Sequence, residues 1–366
     1  MHIAFFGSSI VSAYWNGAAT YYRGILGALA RRGHRITFYE PDAFDRQKHR
    51  DIEPPEWCRV VVYKPCEDAA AAQLEDARGA DLVVKASGVG VLDSFLEKSV
   101  LALKSPRTRV VFWDVDAPAT LESIHTSPDD RLGPLVPDFD MILTYGGGPP
   151  VVSAYEALGA KACVPIYNAL EPETHHPVPP DPAFAADLSF LGNRLPDRER
   201  RVEEFFLKAA AGVPGKRFLM GGSGWDDKPM PDNVRWIGHV YTHQHNAFNC
   251  SARAVLNITR DSMARTGFSP PTRVFEACGA GSCLVTDAWT GIEQFLEPDR
   301  EVLTAVDGDA VAAHLADLSP ERAAAIGAAG RARVLAHHTY DHRALEVERL
   351  LEGRDTGAPA LEGAAR

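Results

Sequence analysis

The chain has 366 residues, of which 45% are hydrophobic, 9% aromatic and 24% charged, a composition that excludes disordered, collagenous and fibrous classes. Thirty-eight Lys and Arg stand against 49 Asp and Glu, and the formal charge of −11 argues against general affinity for nucleic acid or anionic membranes, which need clustered cations. The length is about twice the common domain size, so two domains are expected, each able to bury a core without disulfide or structural metal.

Met1–Ser12 carries no basic leader, its apolar run is broken by Gly7 and Ser8, and no uncharged stretch reaches the ~20 residues of a membrane span. A cytoplasmic protein without a membrane span is the expectation. Six scattered cysteines without a C-x-x-C pair read as reduced thiols.

Short β-branched runs alternate with longer amphipathic segments, the pattern of β-α-β units on parallel sheets. Strands are predicted at His2–Phe6, Arg35–Tyr39, Val60–Tyr63, Asp81–Lys85, Arg109–Trp113, Met141–Thr144 and Ala162–Ile166, with a first crossover helix over Thr20–Arg32 stopped by Gly33. Five prolines between Pro172 and Pro182 mark a linker, placed at 167–182. A second series of strands follows at Leu188–Phe190, Arg217–Met220, Val234–Ile237, Ala254–Ile258, Cys283–Thr286 and Val302–Ala305, with helices such as Asp197–Ala211 and Thr272–Cys278. Two helical patterns, Pro320–Ala336 and Tyr340–Leu351, precede a tail at 353–366 too poor in large apolar residues to order itself. The expected architecture is α/β, with two doubly wound domains, 1–166 and 183–338, a cleft between them that holds the site, and a helix at 339–352 that crosses back onto the first domain.

Gly7-Ser8-Ser9, with Asn16-Gly17-Ala18-Ala19-Thr20, places small residues where the first strand meets the first helix, but the spacing is not G-x-G-x-x-G, and dinucleotide binding is disfavoured although Glu40 ends the second strand. Asn16 and Thr20 serve equally as helix caps. Asp114-Val-Asp116 after the fifth strand leaves three readings open: a general base, a metal-binding D-x-D, or aspartates that cap a turn. In the second half, Ser269-Pro-Pro-Thr-Arg273 opens a helix whose N–H groups and arginine suit a diphosphate, and Glu276 one turn on suits a ribose diol; an Arg273–Glu276 surface pair is the bland alternative.

The second half resembles the CgeB-like (spore-maturation type) glycosyltransferases of the GT-B superfamily through S-F-L-G-N-R (Ser189–Arg194), the G-x-G-W turn ending at Trp225, the L-N-I strand around Asn257, R-V-F-E-A-C-G-A-G (Arg273–Gly281), Phe295–Val302 and His338–Arg343. The first half is similar at Asn16–Arg23 and Asp116–Leu121. The resemblance implies a nucleoside-diphosphate-sugar donor, such as a UDP-sugar, held by the C-terminal domain through Arg194, Trp225, Asn257, Ser269, Arg273 and Glu276. It further implies a small-molecule or glycan acceptor on the N-terminal domain, where Asn16, Thr20 and Tyr145 are expected, with Asp116 as the catalytic base and no cofactor, metal or nucleic acid. The Glu-x7-Glu pattern of many retaining relatives would place its first glutamate where this chain has Phe268. A nucleotide-sugar epimerase and a non-catalytic nucleotide-sugar-binding protein are the alternatives.

Overall fold

The computed structural model describes residues 1–14, 16–127 and 129–353, with the backbone alone at Asp197. All strands pair in parallel, and the central ones, such as Leu82–Ala86, Phe218–Gly221 and Cys283–Asp287, are buried along their whole length, as expected for apolar runs covered on both faces by crossover helices. The first sheet comprises β1 (His2–Phe6), β2 (Arg35–Pro41), β3 (Cys58–Tyr63), β4 (Leu82–Ala86), β5 (Arg109–Asp114), β6 (Met141–Thr144) and β7 (Cys163–Pro165), in the order β3-β2-β1-β4-β5-β6-β7. The second comprises β8 (Ala186–Leu191), β9 (Phe218–Gly221), β10 (Val234–Trp236), β11 (Ala252–Asn257), β12 (Cys283–Asp287) and β13 (Leu303–Ala305), in the order β10-β9-β8-β11-β12-β13. Each is a doubly wound sheet whose strand order reverses between its first and fourth strands, and the carboxyl ends at that reversal are where such sheets bind ligands.

Packing divides the chain at Tyr167/Asn168 and at Thr339/Tyr340, with the short segment Gly147–Val151 grouping with the second unit. The proline-rich stretch is therefore not a free linker from 167 to 182. Asn168, Ala169 and Leu170 are buried within the second unit, and the Leu170 N–H donates to the His338 carbonyl at 2.8 Å in a bridge beside Thr339. Beyond Asp197 the expected single helix contains a π turn at Glu203–Leu207 between Pro196–Val202 and Lys208–Gly212. The six cysteines are free thiols. No helix among the described residues is long and apolar enough to cross a membrane. Residues 354–366 of the expected tail lie outside the described residues.

The terminal helix Tyr340–Leu351 belongs to the first unit and lies on the first helix, Ala18–Arg31. Gly24 makes that close approach possible, because a Cβ there would stand 2.1 Å from the Tyr340 ring. Polar ties at the helix ends add to the contact: Glu348 accepts from Arg32 at 2.6 Å and from His34 at 2.8 Å, and Asp341 accepts from Arg31 at 3.0 Å. Gly24→Ala should overpack this seam and cost about 1–3 kcal/mol in denaturant unfolding. A wild-type unfolding midpoint would contradict the packing.

Candidate functional site

In the second unit, the helix Thr272–Gly279 follows β11 and starts beside Phe190, near the end of β8. Pro270 and Pro271 supply no N–H, and Pro271 caps the helix without a side-chain bond, so the first-turn N–H groups of Thr272 and Arg273 have no capping partner. Arg273 is only partly exposed, and its guanidinium sits 5.6 Å from the Phe190 ring centroid at the end of β8. It makes no hydrogen bond and no ion pair among the described residues. Burial pulls its pKa below the usual arginine value and the Glu276 charge offsets this in part, so the guanidinium stays cationic but has lost hydration without gaining a counter-ion.

Glu276, one turn along, does not pair with Arg273 on the helix surface. Its carboxylate faces His175, whose Nε2 is 3.9 Å from Oε1. His175 is held by its own segment: Nδ1 bonds Thr174 Oγ1 at 3.0 Å, the Thr174 carbonyl accepts from Asn246 Nδ2 at 2.9 Å, and a Cβ at Gly279 would stand 2.8 Å from the His175 carbonyl. His245 completes the group, its Nε2 3.3 Å from the Val240 carbonyl; burial lowers its pKa, so the ring is neutral, while Glu276 pulls the other way. Neither histidine carries a motif. Thr-His-His-Pro lies in a segment that reads as linker, and His245 opens the helix His245–Ser251 after His239 and His243, so only the fold brings them to Glu276.

Three expected donor contacts are placed differently. Trp225 is 1% exposed and its Nε1 donates to the Gly192 carbonyl at 2.8 Å, clamping the β9 turn to the β8 turn from behind. Asn257 is fully buried, with Nδ2 on Thr286 Oγ1 at 3.0 Å, and so latches β11 to β12 rather than facing a ligand. Ser269 is also buried, its hydroxyl donating to the Gly267 carbonyl at 2.9 Å, which shapes the loop into the helix. Arg194 stands at the strand ends, as expected, but is already paired with Glu199 at 2.7 Å and with Asp227, and Lys228 shares Glu199. Phe268 holds a left-handed backbone, φ 48°, beside Gly267, and its N–H donates to the Thr290 carbonyl at 2.7 Å.

In the first unit the two aspartates after β5 have separate surroundings. Asp114 is fully buried and accepts from Ser87 Oγ at 2.7 Å, Thr120 Oγ1 at 2.9 Å, Tyr155 Oη at 2.6 Å and the Asp116 N–H at 3.0 Å. Burial raises its pKa and these donors lower it again; its oxygens are spent on a turn, which is the capping reading. Asp116 takes the N-cap position of the helix Ala117–Thr126, yet its side chain makes no cap bond. It is half-buried at the carboxyl edge of the sheet. Asn16 is 6% exposed and is spent on its own loop, with Nδ2 on the Ser9 and Ser12 carbonyls and Oδ1 accepting from Ser8, so it is a loop knot rather than an acceptor contact. Thr20 is half-exposed in the first turn of its helix, and Tyr145 is half-buried with its ring 5.7 Å from that of Tyr21. Glu40 is fully buried under Ser9 Oγ and the Ile10 N–H, which removes it as a ribose ligand.

A cavity of about 500 Å³ in the second unit, lined by Asp187, Arg217 and Arg253 among others, opens at the amino ends of its strands. It contains none of the groups described above. The carboxyl-end cluster, not the larger space, has the chemistry. Because Trp225 Nε1 has one protein partner and no exposure, Trp225→Phe should lower stability by about 0.5–1.5 kcal/mol in denaturant unfolding. A variant as stable as the wild type would show the clamp to be unused.

Residues 198–349 match a family model described as Glycosyl transferase-like, which covers the helix Thr272–Gly279 and most of the second unit. No curated protein sequence matches the chain. Among solved structures, the chain is similar to a sucrose-phosphate synthase from Thermosynechococcus elongatus, at 16% identity and TM-score 0.70 over 96% of this chain and 98% of that one. HepE of Anabaena, in complex with UDP and glucose, aligns at 13% identity and TM-score 0.66 over 96% and 100%. An alpha-glucosyltransferase in complex with UDP-glucose and DNA containing an abasic site aligns at 11% identity and TM-score 0.69 over 96% and 99%. The fold is that of the GT-B glycosyltransferases, two Rossmann-like parallel-sheet domains.

Proposed function

We propose that this chain is a glycosyltransferase that binds a nucleoside-diphosphate sugar on its second unit and transfers the sugar to an acceptor hydroxyl bound on its first. The single observation that carries this reading is Arg273, a partly buried cation at a helix start with neither hydrogen bond nor ion pair among the described residues. A diphosphate supplies what it lacks: charge, several acceptor oxygens, and a fit to first-turn N–H groups. The Glycosyl transferase-like match over the same residues supports the class. HepE was crystallised with UDP-glucose, which makes UDP-glucose the first donor to test.

In this reading Glu276 accepts hydrogen bonds from the ribose hydroxyls, with His175 and His245 beside it. Asp116 takes the proton of the acceptor hydroxyl as its oxygen bonds to the anomeric carbon, the carbon–oxygen bond to the diphosphate breaks, and the nucleoside diphosphate leaves with its new charge against Arg273 and the helix start. The reaction proceeds without a metal ion, in the cytoplasm, and the finer likeness to the CgeB-like group belongs to this reading. An epimerase would act on the same donor without an acceptor, and a non-catalytic binder would retain the donor unchanged.

Arg273→Ala should weaken UDP binding by about 1.5–3 kcal/mol in calorimetry, the scale of a charge-assisted hydrogen bond, and Glu276→Gln should weaken UDP but not pyrophosphate. Equal UDP affinity in Arg273→Ala would refute the donor site. Asp116→Asn should lower turnover about 10²–10⁴-fold with UDP affinity kept, and EDTA should leave turnover intact. Loss of turnover in EDTA restored by Mg²⁺ or Mn²⁺ would reassign Asp116 as a ligand.

A further inference from the structure

Resting on the donor reading above, we infer that His175 is a second ribose-binding residue, which works with Glu276 to select donors whose nucleoside carries an intact 2′,3′-diol. The starting point is a gap. His175 Nε2 and Glu276 Oε1 face each other at 3.9 Å, beyond the ~3.2 Å reach of a hydrogen bond. Neither is engaged elsewhere: His175 Nε2 and the Glu276 carboxylate make no hydrogen bond among the described residues. The two side chains are 11% and 19% exposed, so neither is sealed from a ligand.

The histidine is held so that only Nε2 is left to use. Thr174 Oγ1 meets Nδ1 at 3.0 Å and the Glu171 carbonyl at 3.1 Å, and that carbonyl also accepts the His175 N–H at 3.0 Å. The Thr174 carbonyl accepts from Asn246 Nδ2 at 2.9 Å, which ties the segment to the helix His245–Ser251. Leu170, earlier in the same segment, is 1% exposed and donates its N–H to the His338 carbonyl. Gly279, one turn beyond Glu276, lets the segment lie against the helix: a Cβ there would stand 2.8 Å from the His175 carbonyl and 2.3 Å from the Leu170 side chain. Groups placed in advance lose little freedom on binding.

A vicinal diol supplies what the gap lacks. An ionised carboxylate only accepts hydrogen bonds, whereas a hydroxyl both donates and accepts. One ribose hydroxyl donates to Glu276 Oε1. The same hydroxyl or its neighbour meets Nε2, as acceptor where that nitrogen carries the proton and as donor where it is bare, so the fit holds for both tautomers. A deoxyribose that lacks the hydroxyl on Nε2 leaves the ring without a partner, the arrangement by which a polar site rejects an analogue. Pyrophosphate has no hydroxyl for either group and meets only Arg273 and the helix start.

The test is calorimetry of the full chain with UDP, 2′-deoxy-UDP, 3′-deoxy-UDP and pyrophosphate. The wild type should bind UDP tenfold or more tighter than at least one deoxy analogue. His175→Ala should weaken UDP tenfold or more and leave pyrophosphate unchanged. It should also leave unchanged the analogue that already lacks the partnered hydroxyl, the non-additivity of two groups that bond each other. His175→Gln, whose amide takes the place of Nε2, should recover most of the UDP affinity, and His175→Asn, whose amide takes the place of Nδ1, should not. Equal loss of UDP and pyrophosphate in His175→Ala would make the histidine a support for its segment and overturn the role. Wild-type UDP affinity in that variant, or a wild type indifferent to both hydroxyls, would overturn it too. If UDP binds in those cases, the donor reading stands without His175; if neither UDP nor pyrophosphate binds the wild type, the donor reading falls and takes this inference with it.

Discussion

A guanidinium removed from water without a counter-charge carries a desolvation penalty, and Arg273 carries it at the point where the second sheet's loops converge. Much of that unit is arranged to keep it there. Phe190 supports the guanidinium from the end of β8, Trp225 locks the neighbouring turns together, and the Asn257–Thr286 latch aligns β11 with β12. Asp287, fully buried, takes Arg201 at 2.6 Å together with the Thr259 N–H and hydroxyl, fixing the loop after β11. These groups are paired with one another, whereas the Arg273 guanidinium makes no hydrogen bond or ion pair among the described residues. An anionic ligand is the simplest partner for such a site.

The first unit uses a related device with a different outcome. Asp114 absorbs four donors, so the turn after β5 is rigid, and the next acidic side chain, Asp116, is presented at the sheet edge by a backbone whose N–H is bound to Asp114. Asp114 is thereby committed to the turn. Asn16 is likewise spent on its own loop.

The strands were legible because parallel strands buried on both faces are continuous β-branched runs: all thirteen expected runs overlap observed strands, with ends shifted by a residue or two where the ladder continues into polar residues such as Asp114 and Asp287. Arg273 and Glu276 were legible because helix-start chemistry is local. Burial was not. A tryptophan beside a Gly-x-Gly turn reads equally as a stacking platform or a clamp, and only packing shows that Trp225 is the clamp. The proline-rich segment misled for a related reason: prolines forbid regular structure but not packing, and Asn168–Leu170 are buried while His175 is delivered to Glu276.

Whether a diphosphate is the missing partner of Arg273 is tested most directly by a crystal structure of the chain with UDP. The expected result is phosphate oxygens about 2.7–2.9 Å from the Arg273 guanidinium, at the start of the helix Thr272–Gly279, and the ribose hydroxyls on Glu276. UDP bound elsewhere, with Arg273 still lacking a partner, would contradict it.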